Sequence, residues 1–387
     1  MEIKNPLLTL NSKLPSILEL SKAQLFENLQ SLQQPRFRGE QVWRAIYKEC
    51  QTSFHDMTNL SKELRSVLSQ NYSIGSSSTV IAKKSLDGST DKTLFRLSDG
   101  ELIETVLMRY EADGHRRGRK TVCVSTQAGC ALGCTFCATG QQGFRRNLTV
   151  GEITEQVLVM ERLARTEDEK EVDIGQRSRG EIQGVTNVVF MGMGEPLANY
   201  DNMMEAIRVL NDQKGIGIGA RHITISTVGL IPGIERLAEE NIQINLAVSL
   251  HAPDNDTRSE TMPVNKRYPI EDLLLACQKF VRKTKRRIFI EYVLLKGQND
   301  TPKHAAKLGA ILKDLLCHVN LIPVNPTGEG PYQRTSYKEA QRFQSDLKIF
   351  NVPSTVRMEK GIDIDAGCGQ LRDRALALTD SLGTNLD

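Results

Sequence analysis

Three cysteines raise the question of chemistry first. In CALGCTFC, residues 130–137, the thiols of Cys130, Cys134 and Cys137 are spaced C-x3-C-x2-C, with Phe136 just before the last. A structural zinc site closes a tetrahedron with four ligands, and a [4Fe–4S] cluster ordinarily takes four thiolates, one per iron. Three thiolates leave one iron of such a cluster open, and a small molecule can bind and react there. The competing reading is a zinc ribbon completed by Cys123, seven residues upstream. Ribbons favour paired C-x2-C knuckles, and Cys123 lies in TVCVST, whose β-branched residues predict a strand.

Other candidate positions share a setting. MGMGEP, residues 191–196, ends the β-branched run TNVVFMGMGEP, and its G-x-G lacks the third glycine and the spacing of a dinucleotide loop. Gly194 and Glu195, Ser226, Ser249 with Leu250 and His251, and Asn325 each stand where a strand-like run ends. Singly, a polar strand end is most often a helix cap, and a lone histidine most often structural. Near the C-terminus, EKGIDIDAGCGQL carries Cys368 between Gly367 and Gly369. Flanking glycines allow tight turns and close backbone approach, a poor setting for a thiol that only fills a core. Spacing alone leaves an incidental cysteine open. Cys50, Cys277 and Cys317 sit alone in apolar, helix-like stretches and read as buried thiols.

The elements that must position these residues are legible from residue 121 onward. TVCVST, TNVVFMGMGEP, HITISTVG, INLAVSLH, RIFIEYVLL and HVNLIPVNP are short apolar runs separated by helix-like segments. Such alternation means a parallel sheet covered by crossover helices. Six units predict an α/β fold, an open or partial (β/α)6 barrel. TVGEITEQVLVM is the clearest helix: Thr149 and Glu152 form a capping box, and Ile153, Val157 and Met160 share a face. Active sites of such barrels are built at the carboxyl ends of the strands, where the polar positions fall and which the cysteines follow directly. Ahead of the barrel, KAQLFENLQSLQ, GEQVWRAIYKEC and LSKELRSVLSQ predict a small helical N-terminal domain over residues 1–95. A hairpin to about residue 112 follows, turning at Asp99-Gly100. The barrel core is expected over 113–350 and a C-terminal segment with the Cys368 loop over 351–387. Two charged segments, 111–120 and 166–184, read as loops.

With 387 residues, 39% apolar and 25% charged, the chain can bury a large core plus one or two smaller units. No run approaches the roughly 20 apolar residues of a membrane helix. MEIKNPLLTLNSK has no apolar stretch suited to a signal peptide, so a cytoplasmic protein is expected. Eight irregularly spaced cysteines do not make the framework of a small secreted domain. The net charge of +3 is too small to demand a polyanionic partner, but basic residues cluster. Lys279, Arg282, Lys283, Lys285, Arg286 and Arg287 form one run, and Arg36, Arg38 and Arg44 stand beside Phe37 and Trp43 in another. Each can be a solvated helix face. Basic groups beside aromatics also suit RNA, whose phosphates attract and whose splayed bases stack.

C-x3-C-x2-C after the first barrel strand resembles the radical S-adenosylmethionine (SAM) superfamily, in which three cysteines hold one [4Fe–4S] cluster and SAM chelates the fourth iron. MGMGEP resembles that superfamily's glycine motif, which holds the SAM ammonium group. QAGCALGCTFCATGQQGFRRNL, FMGMGEPLANY, ISTVGLIPGI, VSLHAPDN, EYVLLKGQND, IPVNP and DIDAGCGQL carry a broader resemblance, joined by PRFRGEQVWRAIY and MTNLSKELR near the N-terminus. Together they closely resemble the RlmN/Cfr family of radical-SAM RNA adenine methyltransferases over nearly the whole chain. The segments 111–120 and 166–184 are longer or more charged than is usual in that family and fall between its motifs. By this resemblance Cys130, Cys134 and Cys137 are the cluster ligands. Gly194, Glu195, Ser226, Ser249, Leu250, His251 and Asn325 contact SAM, and the N-terminal domain binds RNA.

The resemblance also implies a route. Adenine C2 and C8 are poor nucleophiles, so direct displacement on a SAM methyl fails, whereas a carbon radical can add to the ring. Cys368 takes a methyl from one SAM as an S-methyl group. A second SAM, split reductively at the cluster, gives a 5′-deoxyadenosyl radical that activates this methyl, and the RNA becomes tethered to the protein. Glu104, in IETVLM, accepts a proton, and Cys123 forms a disulfide with Cys368 to release the methylated base. A strand glutamate is ordinarily only solvent-facing, and a strand cysteine only buried. The implied partners are 23S rRNA, tRNA and a one-electron donor of flavodoxin or ferredoxin type, with two SAM per turnover, no membrane and a monomeric enzyme. The N-terminal segment and the length lean toward the C2-methylating branch over the C8-methylating one. A non-catalytic, metal-stabilised RNA-binding protein is the alternative of a different class.

Overall fold

The structure, a computed structural model, describes residues 14–112, 118–173, 184–325, 331–357, 360–367 and 369–371. Strands β1 (Ser78–Lys84), β2 (Thr90–Arg96) and β3 (Leu102–Tyr110) form an antiparallel meander that pairs on to β4 (Arg119–Cys123). A separate two-stranded hairpin, β5 (Gln127–Gly129) and β6 (Phe144–Asn147), follows β4. From β4 the main sheet continues through β7 (Asn187–Phe190), β8 (Ile223–Thr227), β9 (Asn245–Ser249), β10 (Ile288–Leu294), β11 (Cys317–Pro323) and β12 (Ser354–Val356). Each of these pairs in parallel with the strand before it. β1 and β12 are the two free edges of the sheet, so the barrel is open. The six β-branched runs are β4 and β7 to β11. β12 is too short to carry a pattern, and β1 has no buried residue at all. Exposed edge strands held by backbone pairing leave no apolar period to read, and so β1 sits inside a stretch expected to be helical.

Helices α1 (Lys22–Ser31), α2 (Arg36–Tyr47) and α3 (Lys62–Asn71) pack a small core of their own around Leu25, Trp43, Ile46, Leu64 and Leu68. The barrel carries α4 (Ala138–Gln141), α5 (Val150–Asp173), α6 (Tyr200–Asn211), α7 (Ile231–Glu239), α8 (Asn255–Thr261), α9 (Ile270–Thr284), α10 (Pro302–Leu312) and α11 (Tyr337–Lys348). Leu158 of α5 and Val209 of α6 complete the N-terminal core. Glu19 reaches the start of α5, accepting from Thr149 Oγ1 at 2.6 Å and Gly151 N at 3.2 Å. The Thr149–Glu152 capping box is present, with reciprocal bonds of 3.0 and 3.2 Å.

Three expectations need correction. α5 runs on through residues 166–173, read above as loop, because those charges are used: Glu167 pairs with Lys84 and Arg109, and Asp168 with Lys120. Residues 113–117 and 174–183 of the two charged segments lie outside the described residues. Trp43 is buried, so only Phe37, 53% exposed with Arg38 4.8 Å from its ring, is free to stack on a base. The 279–287 run ends α9 and enters β10 at its amino end, where Lys279 and Lys283 pair with Glu235 and Glu239 of α7. That end of the barrel is roughly 20 Å, a seven-residue strand, from the carboxyl rim, too far to grip phosphates beside a base bound there.

Candidate active site

Side chains of a strand alternate between the two faces of the sheet. On β8 to β11, Ile225, Val248, Tyr292 and Leu321 pack outward into the main core. Ser226, Ser249 and Glu291 therefore turn inward, onto a cavity of about 1000 Å³ including its open mouth. Cys130, Cys134, Cys137, Gly194, Glu195, His251 and Asn325 line the same cavity. The structure thus brings together eight of the expected cofactor-contacting and cluster residues with Ser226. Leu250 is the exception: it is fully buried in the main core, and its N–H and carbonyl are engaged by Glu291 O and Arg258 Nε.

The cysteine loop is held from several sides. Cys130 N donates to Gly143 O at 2.8 Å, Thr135 N to Thr261 O at 3.0 Å, and Ala138 N to Gly369 O at 2.8 Å. A Cβ at Gly140 would sit 3.0 Å from both N and O of Cys134, a tight contact that glycine avoids where the chain folds back on the Cys134 backbone. Burial pushes the Cys130 thiol up to about 11 and Cys134 higher still, with the neighbouring cysteines adding to the rise. Three neutral thiols packed on one wall suit a positively charged metal centre, whose binding ionises them. Three thiols lining one cavity suit a cluster in which each thiolate takes a different iron. The residues therefore fit a [4Fe–4S] group.

In the same cavity, Glu195 is buried after the tight turn at Gly194, where φ is +99° and a Cβ would lie 2.5 Å from the Gln127 side chain. Leu197 N and Val228 N donate to its two oxygens at 3.0 and 2.9 Å, and burial pushes its carboxyl up to about 7. A carboxyl so poised gains from a donor or cation delivered by a ligand. His251 adopts φ +57°, lies edge-on to Phe136 at 5.0 Å, and accepts from Val293 N through Nδ1 at 3.0 Å. Its proton is then on Nε2. Burial, then the charge of Arg258, holds its pKa down to about 3, so it is a neutral donor at any working pH.

Arg258 is a residue that the sequence did not single out. It is fully buried in α8 and donates to the carbonyls of Val228, Ser249, Leu250 and Tyr268 and to Asn265 Oδ1, at 2.6 to 3.3 Å. It gathers the carboxyl ends of β8 and β9. Nothing in NDTRSET distinguishes it from a solvated helix arginine.

Cys123 and Glu104 lie outside the described lining of this cavity. Cys123 pairs in register with Val106, so Glu104, two residues earlier, is its diagonal neighbour on the same face, about 7–8 Å away. Glu104 is buried, not solvent-facing, and Lys92 Nζ is 2.9 Å from its carboxylate. Lys92 also donates to Asp365 O at 3.2 Å. Cys368 lies outside the described residues, but its flanks do not: Gly369 lines the cavity, and Gly367 stands against Asn325. Lys92 has a period-2 signal in TDKTLFR, yet its pairing with Glu104 depends on the β2–β3 register.

An open parallel barrel with three thiols and a buried Gly-Glu turn on its carboxyl rim defines the radical-SAM class. Residues 124–308 match the Radical SAM superfamily, and residues 16–74 match the Ribosomal RNA large subunit methyltransferase N-terminal domain. Two relatives, from Bacillus thuringiensis (strain Al Hakam) and Bacillus cereus (strain AH187), carry the name "Probable dual-specificity RNA methyltransferase RlmN". Each is 45% identical over 363 residues, which cover 94% of this chain and 94% of the relative. The crystal structure of a radical SAM methyltransferase from Sphaerobacter thermophilus aligns with a TM-score of 0.85 at 45% identity, over 92% of this chain and 99% of that one. The chain belongs to the RlmN family. It is a SAM-dependent radical RNA methyltransferase. No helix among the described residues is long and apolar enough to cross a membrane.

Proposed function

We propose that this enzyme methylates C2 of adenine in 23S rRNA, at the peptidyl transferase centre, and in tRNA, at the adenine 3′ of the anticodon. The observation that carries the reading is the meeting of the cysteine loop, the Gly-Glu turn and Gly369, the residue after Cys368, at one cavity. It is supported by the dual-specificity name of relatives that match along 94% of the chain. Cys130, Cys134 and Cys137 would hold the cluster, which would supply the electron for reductive cleavage of SAM. Cys368 carries the methyl group as a thioether, and two SAM are consumed per turnover. The tethered adduct gives up its unpaired electron, which offsets the one spent on SAM, and Glu104 takes the proton from the adenine carbon. Cys123 then closes a disulfide on Cys368, which returns the methylated base and leaves two electrons to be restored by a thiol reductant. The target adenine must be unstacked to reach the rim, and the exposed Arg36 and Phe37 at the start of α2, with half-buried Arg38 beside the Phe37 ring, are suited to the surrounding RNA. A flavodoxin- or ferredoxin-type donor, a monomer and a cytoplasmic site of action complete the proposal.

The test is mass spectrometry of nucleosides from 23S rRNA and tRNA treated anaerobically with reconstituted enzyme, SAM and reductant. We expect 2-methyladenosine in both digests. 8-Methyladenosine would overturn the choice of carbon, and a product in one RNA only would overturn dual specificity.

The buried Lys92–Glu104 pair yields a second expectation. In Lys92→Met the carboxylate loses the ammonium that holds it at 2.9 Å, so the proton acceptor is less well positioned and base release slows. Quench-flow should show more protein–RNA adduct in the variant than in the wild type. Equal adduct in both would remove the Lys92–Glu104 pair from that step.

A further inference from the structure

Glu291 is a buried acid of the cavity that none of these roles uses. It sits midway along β10, in register with Ser249 of β9 and Asn320 of β11, and is 4% exposed. Its neighbours Ile290 and Tyr292 pack outward, so its side chain turns to the barrel interior. Oε1 accepts from Asn320 Nδ2 at 2.8 Å. Oε2 is buried with no hydrogen-bond partner, in the cavity that Cys130, Glu195 and Ser249 also line. A buried carboxylate oxygen without a donor is costly, and packing alone would be served as well by leucine. The donor that completes it must come from what fills the cavity.

We infer that Glu291 is a SAM-binding residue whose Oε2 accepts from the ribose hydroxyls. The inference rests on SAM as the ligand of this cavity. Glu195, the residue suited to the amino-acid end of SAM, is tied to Val228 at the end of β8. β10 is two strands further round, roughly 10 Å at the usual strand spacing. The ligand atoms over Glu291 therefore lie well past the amino-acid end. The sulfonium carries no N–H or O–H to donate, whereas the adjoining ribose carries two hydroxyls. A carboxylate that takes a ribose diol is the pairing dinucleotide-binding folds use, and Ser249 stands beside Glu291 as a second polar group.

The experiment measures equilibrium binding of SAM, 2′-deoxy-SAM and 3′-deoxy-SAM to cluster-reconstituted wild-type and Glu291→Gln protein. Glutamine keeps an oxygen for Asn320 and presents an amide N–H to the cavity in place of the acceptor. We expect the wild type to bind at least one deoxy analogue about 10-fold or more weakly. Glu291→Gln should bind SAM roughly 10- to 100-fold more weakly and lose the discrimination between SAM and that analogue. Wild-type affinity in Glu291→Gln, or one equal penalty for all three ligands, overturns the assignment. Should the glutamine variant fail to fold or to hold its cluster, Glu291→Asp, which withdraws the carboxylate by one methylene, carries the same comparison. A wild-type holoenzyme that binds no SAM at all would sink the functional reading itself, an outcome distinct from the loss of this contact.

Discussion

In Cys368→Ala, methyladenosine formation falls to background, a loss of at least about four orders of magnitude, while cluster content and SAM binding stay at wild-type levels. The size of the effect follows from the substrate. An adenine ring carbon does not displace a methyl from a sulfonium, so an enzyme without its thiol carrier has no slower polar route to fall back on. The described residues that follow Cys368 are held through their own main-chain carbonyls. Ala138 N donates to Gly369 O at 2.8 Å, and Thr139 Oγ1 to Leu371 O at 2.6 Å. Two readouts separate a carrier from a structural thiol. Peptide mass spectrometry of wild-type protein incubated with SAM should find one added methyl on Cys368. Cys123→Ala should accumulate a covalent protein–RNA adduct that Cys368→Ala never forms. Product from Cys368→Ala at even a hundredth of the wild-type rate would falsify the carrier role.

Arg258→Met is expected to cost about 3–5 kcal/mol of stability. The guanidinium is fully buried, has no carboxylate among the groups it bonds, and makes five hydrogen bonds to four carbonyls and Asn265 Oδ1. Each acceptor left without a donor costs about 1–3 kcal/mol. The sum is reduced because methionine no longer bears the cost of burying a charge, a cost visible in the arginine pKa, which burial brings down to about 10. Denaturant unfolding of the two proteins measures the difference. Because the carbonyls belong to Val228, Ser249 and Leu250, at the ends of β8 and β9, SAM affinity should weaken as well. A change below about 1 kcal/mol would mean that desolvation of the charge offsets its bonds. Retained SAM affinity in a destabilised variant would separate the fold from the site.

Much of this protein is written locally. The six inner strands, their parallel order and the rim that carries Glu195, Ser226, Ser249, His251 and Asn325 follow from apolar runs and the residues that end them. The Thr149–Glu152 cap is a contact between residues three apart, and the cysteine loop is eight residues long. Each of these depends on neighbours in the chain, so residue type and spacing determine it. Other features depend on register between distant segments, and only the tertiary structure decided them. Whether Glu104 faces solvent or Lys92 turns on how β2 lies against β3. The charged stretch after residue 165 became helix because Lys84, Arg109 and Lys120 came from β1, β3 and β4 to meet it. The basic run at 279–287 has the composition of a phosphate grip, yet strand direction puts it at the wrong end of the barrel. The unpartnered oxygen of Glu291 and the five bonds of Arg258 have no local pattern at all. A buried polar group is defined by what folding places around it, and period and spacing along one strand carry no record of that.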